Sequence, residues 1–190
     1  MNALGISKPA TAAGTLRVFA ALLSYPDAER RSHLPEMKAI VQRERALSAT
    51  RLAELDALID TLRRNDPLDV EAEYVQLFDR GRATSLHLFE HVHGDSRDRG
   101  PAMVDLVKHY EAAGLFFDGK ELPDHLCVVL EFASTQPPAQ AREFLGEVAH
   151  ILQALFTALR QRVCERARRA ARPGRRKGAR GQACRGTAAR

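Results

Sequence analysis

An all-α protein is expected here: one compact bundle of about seven helices, carrying a disordered basic tail at its C-terminal end. Three observations point to it. Helix-favouring residues dominate, with 30 Ala and 23 Leu against 11 Val and 4 Ile. Apolar residues recur at helical spacing in nearly every segment. The 190 residues, 45% of them hydrophobic, suffice for one core and leave little room for two. The helical domain is placed over residues 1–165 and the tail over 166–190.

Thr15 is expected to cap a first helix with Leu16, Phe19, Ala20 and Leu23 on one face, stopped by Pro26. A second carries Leu34, Met37, Ile40 and Val41. After Ser48 a third shows a stripe of Leu52, Leu55, Leu58, Ile59 and Leu62, with Arg63 and Arg64 suiting its C-terminal dipole. Asp66-Pro67 reads as an N-cap followed by proline at the first helical position, opening a helix with Val70, Tyr74, Leu77 and Phe78 that ends before Gly81. A fifth follows Gly100-Pro101, with Met103, Leu106, Val107 and Tyr110 inward and Gly114 as its stop. Asp124 is expected to cap the sixth, which bears Leu126, Val129, Leu130 and Ala133. Beyond Pro137-Pro138 a long last helix holds Phe144, Leu145, Val148, Ile151, Leu152, Leu155, Phe156 and Leu159.

Two segments break this regularity. Residues 80–100 form a long link dense in His, Arg and Asp, in which Leu86, Leu88, Glu90 and Val92 alternate with period two, as in a short extended piece. Residues 166–190 are Arg, Ala and Gly with almost no apolar bulk, too little to offset the entropy of ordering. From 162 to 190 there are ten Arg and one Lys against Glu165, so the net +5 of the whole chain conceals a mildly acidic body. A dedicated nucleic-acid partner is therefore not expected from the charge balance. Cys127, Cys164 and Cys184 show no pairing or metal-ligand spacing, which suits a reducing compartment. No apolar run resembles a leader or a membrane span, so stable membrane association is not expected and the cytoplasm is the expected location.

The sharpest chemical pattern is His87-Leu-Phe-Glu90-His91, an H-x-x-E-H sequence. On one helix face, His87 and His91 could hold zinc with Glu90 as base. No further ligand is identifiable, and Gly94-Asp95-Ser96 would end such a helix after two turns. Polar capping by these histidines is the competing reading. His33, His109 and His150 read as surface or capping residues. Glu121, Asp124 and His125 cluster at one expected helix start, where they could bind a cationic or amide-rich peptide. No phosphate-binding glycine loop and no paired nucleophile is present, so no catalytic residue, metal ligand or cofactor is assigned.

The stretch from Tyr74 through Leu77-Phe78-Asp79, the segment SLHLFEHVHGDSRDRG at 85–100, and Glu121-Leu-Pro-Asp-His125 together resemble the NarJ-type assembly chaperones of nitrate reductase, often labelled its δ subunit. These lie within the wider TorD-like redox-enzyme maturation chaperones. The resemblance spans about residues 16–162. It implies a cytoplasmic all-helical chaperone, not an enzyme, whose partner is the apo catalytic α subunit of respiratory nitrate reductase, bound notably through its N-terminal segment. It further implies support for molybdenum cofactor and iron–sulfur insertion before membrane docking. Carried over residue by residue, peptide contact falls to Tyr74, Leu77 and Phe78 on the apolar side and to Glu121, Asp124 and His125 on the polar side. His87, Phe89, Glu90 and His91 match the branch-specific loop. A monomer or weak dimer is expected. Two other readings compete: a zinc hydrolase using His87, Glu90 and His91, and a nucleic-acid adaptor using the basic tail.

Overall fold

The computed structural model describes residues 12–119 and 121–170, the last five of them by backbone alone. Of the tail expected to be disordered over 166–190, residues 166–170 continue the last helix, while 171–190, like residues 1–11 of the leader reading, lie outside the described residues. What is described is all-α, as expected, with ten α-helices rather than seven among those residues. They are α1 Ala13–Leu23, α2 Ala28–Ser32, α3 Leu34–Glu44, α4 Ala49–Arg64, α5 Pro67–Tyr74, α6 Leu88–Val92, α7 Arg99–Ala112, α8 Leu126–Thr135, α9 Pro138–Glu147 and α10 Ala149–Ala170. A π-helical turn, Val75–Asp79, continues α5, and a single 3-10 turn follows at Arg82–Thr84.

The extra helices have local causes. Asp27 accepts the backbone N–H of Arg30 at 2.8 Å and starts the one-turn α2. The long last helix divides at Val148, just after Gly146, a residue of low helix propensity. It then runs through Ala170, five residues past the predicted domain boundary. Asp66 caps α5 as expected, accepting from Leu68 N at 2.9 Å, and Ser48 caps α4. Thr15 does not cap α1. It lies inside the helix, and its hydroxyl, its N–H and the N–H of Gly14 all donate to the Glu44 carboxylate. A carboxylate on the neighbouring α3 thus serves the positive end of α1.

Two apolar clusters fill the body, and α1 lies between them. On one side Val18 packs with Leu34, Met37 and Val41 of α3 and Leu55 and Ile59 of α4. On the other, Ala20 packs with Leu86, Leu88, four residues of α8 and Ile151 and Leu155 of α10. The α8 helix is the innermost, burying Leu126, Cys127, Val129, Leu130, Phe132, Ala133 and Ser134. Arg17 of α1 donates to the Ser134 hydroxyl at 3.2 Å, tying the two central helices together across 117 positions of sequence. The start of α8 and the end of α5 are thereby brought to one end of the same cluster.

Candidate functional site

The first half of the site grows from the end of α5. Tyr74 donates its hydroxyl to the Leu23 carbonyl at 2.9 Å, and its ring meets Phe78 at 4.8 Å and Tyr25 edge-on at 5.5 Å. Tyr74 and Phe78 rest against the cluster that holds Leu126, Cys127 and Leu130. Tyr25 stays 43% exposed, and its hydroxyl donates to Glu71. The three rings form an aromatic ledge, half in the core and half at the surface. Burial raises the Tyr74 phenol above its ordinary range, so it remains a neutral donor. Leu77 is half-buried in the π-turn beside them.

The second half is the turn before α8. Pro123 is buried, and its carbonyl accepts the Tyr110 hydroxyl at 2.8 Å. Asp124 is wholly buried instead of lying at an exposed helix start. It does not cap α8: His125 does, its Nδ1 accepting from Cys127 N at 3.4 Å. Asp124 instead faces back to the loop before α6. Its carbonyl accepts Leu88 N at 3.0 Å and its Oδ2 accepts Phe89 N at 2.9 Å. Leu126 N donates to Leu86 O at 2.8 Å, closing a short antiparallel bridge between His87 and His125. The extended piece expected over 86–92 is thus confined to this bridge, and α6 takes the rest.

Around the bridge sits a compact polar network. Nδ1 of His87 lies 3.6 Å from Oδ1 of Asp124, and Arg99 reaches Asp124 at 3.9 Å and Glu90 at 3.6 Å. The rings of His87 and His125 are 5.0 Å apart. Asp124 beside it raises the pKa of His87, against the opposing effect of burial. Burial, reinforced by His87, lowers that of His125. Burial likewise pushes the Cys127 thiol up to about 11, so it is no nucleophile near neutral pH. Glu121 remains exposed at the edge of this half.

His87, Glu90 and His91 do not share a helix face. His87 precedes α6, and His91 Nε2 donates instead to the Ser85 carbonyl at 2.9 Å. Phe89 is half-buried with its ring edge-on to His93. Among the described residues no group of three or more His, Cys, Asp or Glu is arranged to hold a metal ion. His91 thus makes a loop hydrogen bond of the kind the capping reading expects, whereas the His87 side chain caps no helix. His109 is exposed, as expected, and its ring stacks flat on Phe144 and edge-on to Phe132.

A profile of the nitrate reductase delta subunit family matches residues 44–166, which take in Tyr74 and Phe78 of the ledge, the bridge and most of α10. The chain belongs to that family. It is 47% identical over 147 residues to the nitrate reductase molybdenum cofactor assembly chaperone NarJ of Escherichia coli K12, a match covering 77% of this chain and 62% of that one. It is 32% identical over 135 residues to a chlorate reductase assembly chaperone of Ideonella dechloratans, covering 70% and 58%. The chain therefore spans under two thirds of the length of these relatives. A solved protein of Archaeoglobus fulgidus, assigned to redox enzyme maturation, shares the fold with a TM-score of 0.55 at 22% identity, covering 84% of this chain and 98% of that one. The family is one of maturation chaperones rather than enzymes.

Of the residues singled out from sequence, Tyr74, Phe78 and the Glu121–His125 turn converge on one end of α8, while Asp124 turns inward to the loop of His87. Two participants escaped the sequence reading. Tyr25 carried a signal, an aromatic directly before the proline that ends α1. Arg99 carried none, because it is one arginine among many.

Proposed function

We propose that this chain is a cytoplasmic chaperone of respiratory nitrate reductase that binds the N-terminal segment of the apo catalytic α subunit. It holds that subunit competent for molybdenum cofactor and iron–sulfur insertion and delays its docking on the membrane until loading is complete. Its own part is binding and timing, with no bond made or broken by its side chains. It acts as a monomer or weak dimer. Among the described residues no helix is long and apolar enough to cross a membrane.

The observation that carries this reading is the aromatic ledge beside exposed carboxylates. Tyr25, Tyr74 and Phe78 offer a partly exposed apolar surface, and Glu71 and Glu121 flank the same end of the body. Such a surface suits an amphipathic helical segment that lays apolar side chains on the rings and basic ones towards the acids. Asp124 has a different role in this scheme. Being buried, it fixes the turn that presents Glu121 and His125 and makes no contact with the client.

Calorimetric titration of the chain with a synthetic peptide from the N-terminus of the nitrate reductase α subunit tests the proposal. One-to-one saturable binding is expected, weakened by Tyr25→Ala and by Glu121→Gln, both exposed positions whose loss spares the core. A peptide that gives no heat and no fluorescence change at any attainable concentration sinks it.

A further inference from the structure

Arg162 sits on α10, yet its guanidinium is spent on a segment far away in sequence that packs against that helix. Nη1 donates to Gln76 O at 3.0 Å, to Leu77 O at 2.7 Å and to the Thr84 hydroxyl at 2.8 Å, while Nη2 donates to Arg80 O. Thr84 is wholly buried, and its own hydroxyl donates to Leu77 O. One side chain thus meets the carbonyls left over where the π-turn Val75–Asp79 unwinds into the 3-10 turn Arg82–Thr84. A π-turn is rare, occurs mostly as a single turn within a helix, and is frequent at functional sites.

Gly81 shows how closely the arginine is fitted. Its φ of +155° is one that L side chains rarely adopt, and a Cβ there would lie 2.5 Å from Nη2. The guanidinium therefore lies where Gly81 leaves room for it, and the glycine's backbone takes the path around it. The rigid planar fork of arginine reaches several oxygens at once, which a single ammonium cannot do.

The held segment is the one that carries Leu77 and follows Tyr74 directly. We propose that Arg162 is a positioning residue of the peptide-binding face: its guanidinium clamps the π-turn and so sets where Leu77 and Phe78 stand relative to Tyr74. This rests on the reading above that those residues meet the client. With the clamp gone, the turn relaxes towards ordinary α-helical hydrogen bonding. That change rotates Leu77 and Phe78 about the helix axis and misaligns the ledge.

The test compares the wild-type chain with Arg162→Gln, Arg162→Lys and Gly81→Ala, titrated with the α-subunit N-terminal peptide, alongside hydrogen exchange of each variant. About a tenfold weaker affinity or more is expected for Arg162→Gln and for Gly81→Ala, with Arg162→Lys recovering only part of it. Exchange should quicken over residues 75–84 while the amides of α1 and α8 keep their protection. Methylguanidinium added to Arg162→Gln should restore binding, and should not restore it to Gly81→Ala, whose new methyl group occupies the space. Wild-type affinity in the variants, with the wild-type chain binding normally, overturns the clamp alone. A wild-type chain that does not bind overturns the client reading and this proposal with it. Loss of the whole fold in all three variants shows a global structural role and also overturns it.

Discussion

The imidazole of His87 and the carboxylate of Asp124 face each other at 3.6 Å across the short bridge that joins the α6 loop to the start of α8. Among the described residues neither His87 Nδ1 nor Asp124 Oδ1 has a hydrogen-bond partner, and the two face each other just beyond that reach. The pair therefore faces across the junction of the α6 loop and the start of α8, and a small closure would convert the ion pair into a charge-assisted hydrogen bond.

This arrangement sets the pH dependence of stability with opposite signs for two neighbouring rings. His87 has a pKa raised from 6.5 by Asp124, with Glu90 adding and Arg99 opposing. Its contribution is fully present below about 6.5 and is lost as pH rises through the folded value. His125 has a pKa lowered from 6.5 by burial and by His87, against Glu121 and Asp124. Its contribution is present above about 6.5 and is lost as pH falls through the folded value. Urea midpoints measured across mildly acidic to mildly alkaline pH should show His87→Gln flattening the alkaline flank and His125→Gln the acidic one. Identical profiles in both variants and wild type would refute the assignment.

Asp124→Ala is expected to destabilise the chain by about 3 kcal/mol, because it strands the Phe89 N–H and leaves His87 and Arg99 without their shared acid. Asp124→Asn keeps an acceptor for Phe89 and should cost roughly a third of that. Equilibrium urea unfolding of the two variants checks the order. Equal costs would mean that the charge, and not the hydrogen bond to Phe89, is what matters.

Ile59 is wholly buried in the cluster on the α3–α4 side of α1, away from the aromatic ledge. Ile59→Ala should cost about 2–5 kcal/mol through lost transfer energy and a residual cavity. Peptide affinity measured well below the melting temperature should not change. A parallel loss of affinity would show that this half of the body takes part in binding.

Glu44→Gln keeps the size of the side chain that receives Gly14, Thr15 N–H and the Thr15 hydroxyl but removes its charge. A loss of about 1 kcal/mol is expected, read by thermal melting and shrinking as salt is added. A variant as stable as wild type would show that the contact fits α1 without stabilising it.

Much of the fold was legible because its causes are local. Helical periodicity, the Asp66 cap and the Pro137-Pro138 break all act within a few residues. What the sequence concealed acts over long distances. Asp124 has the chemistry and position of an N-cap for α8, but the α6 loop, some 35 positions earlier, claims its carboxylate. Thr15 likewise looked like a cap until Glu44 took that part from a neighbouring helix. The helix through Phe78 reads as ordinary α in its spacing, and becomes a π-turn where Arg162 meets it from 85 positions downstream. Of the site, the two motifs were legible and their convergence was not, since that depends on α1 and α8 packing at the centre.

Because α1 lies between both clusters, it dictates an order of assembly. Val18 finds its partners by Ile59, about forty residues further on in synthesis, whereas Ala20 and Arg17 must await α8. A chain emerging from the ribosome can close α1, α3 and α4 into a small unit early, with one flank of α1 still bare. That flank is apolar until Leu126–Thr135 arrives to cover it. The aromatic ledge, which leans on α8, comes into being only at that second closure. Under the proposed function, a newly made chain would engage its client only once the body is nearly complete.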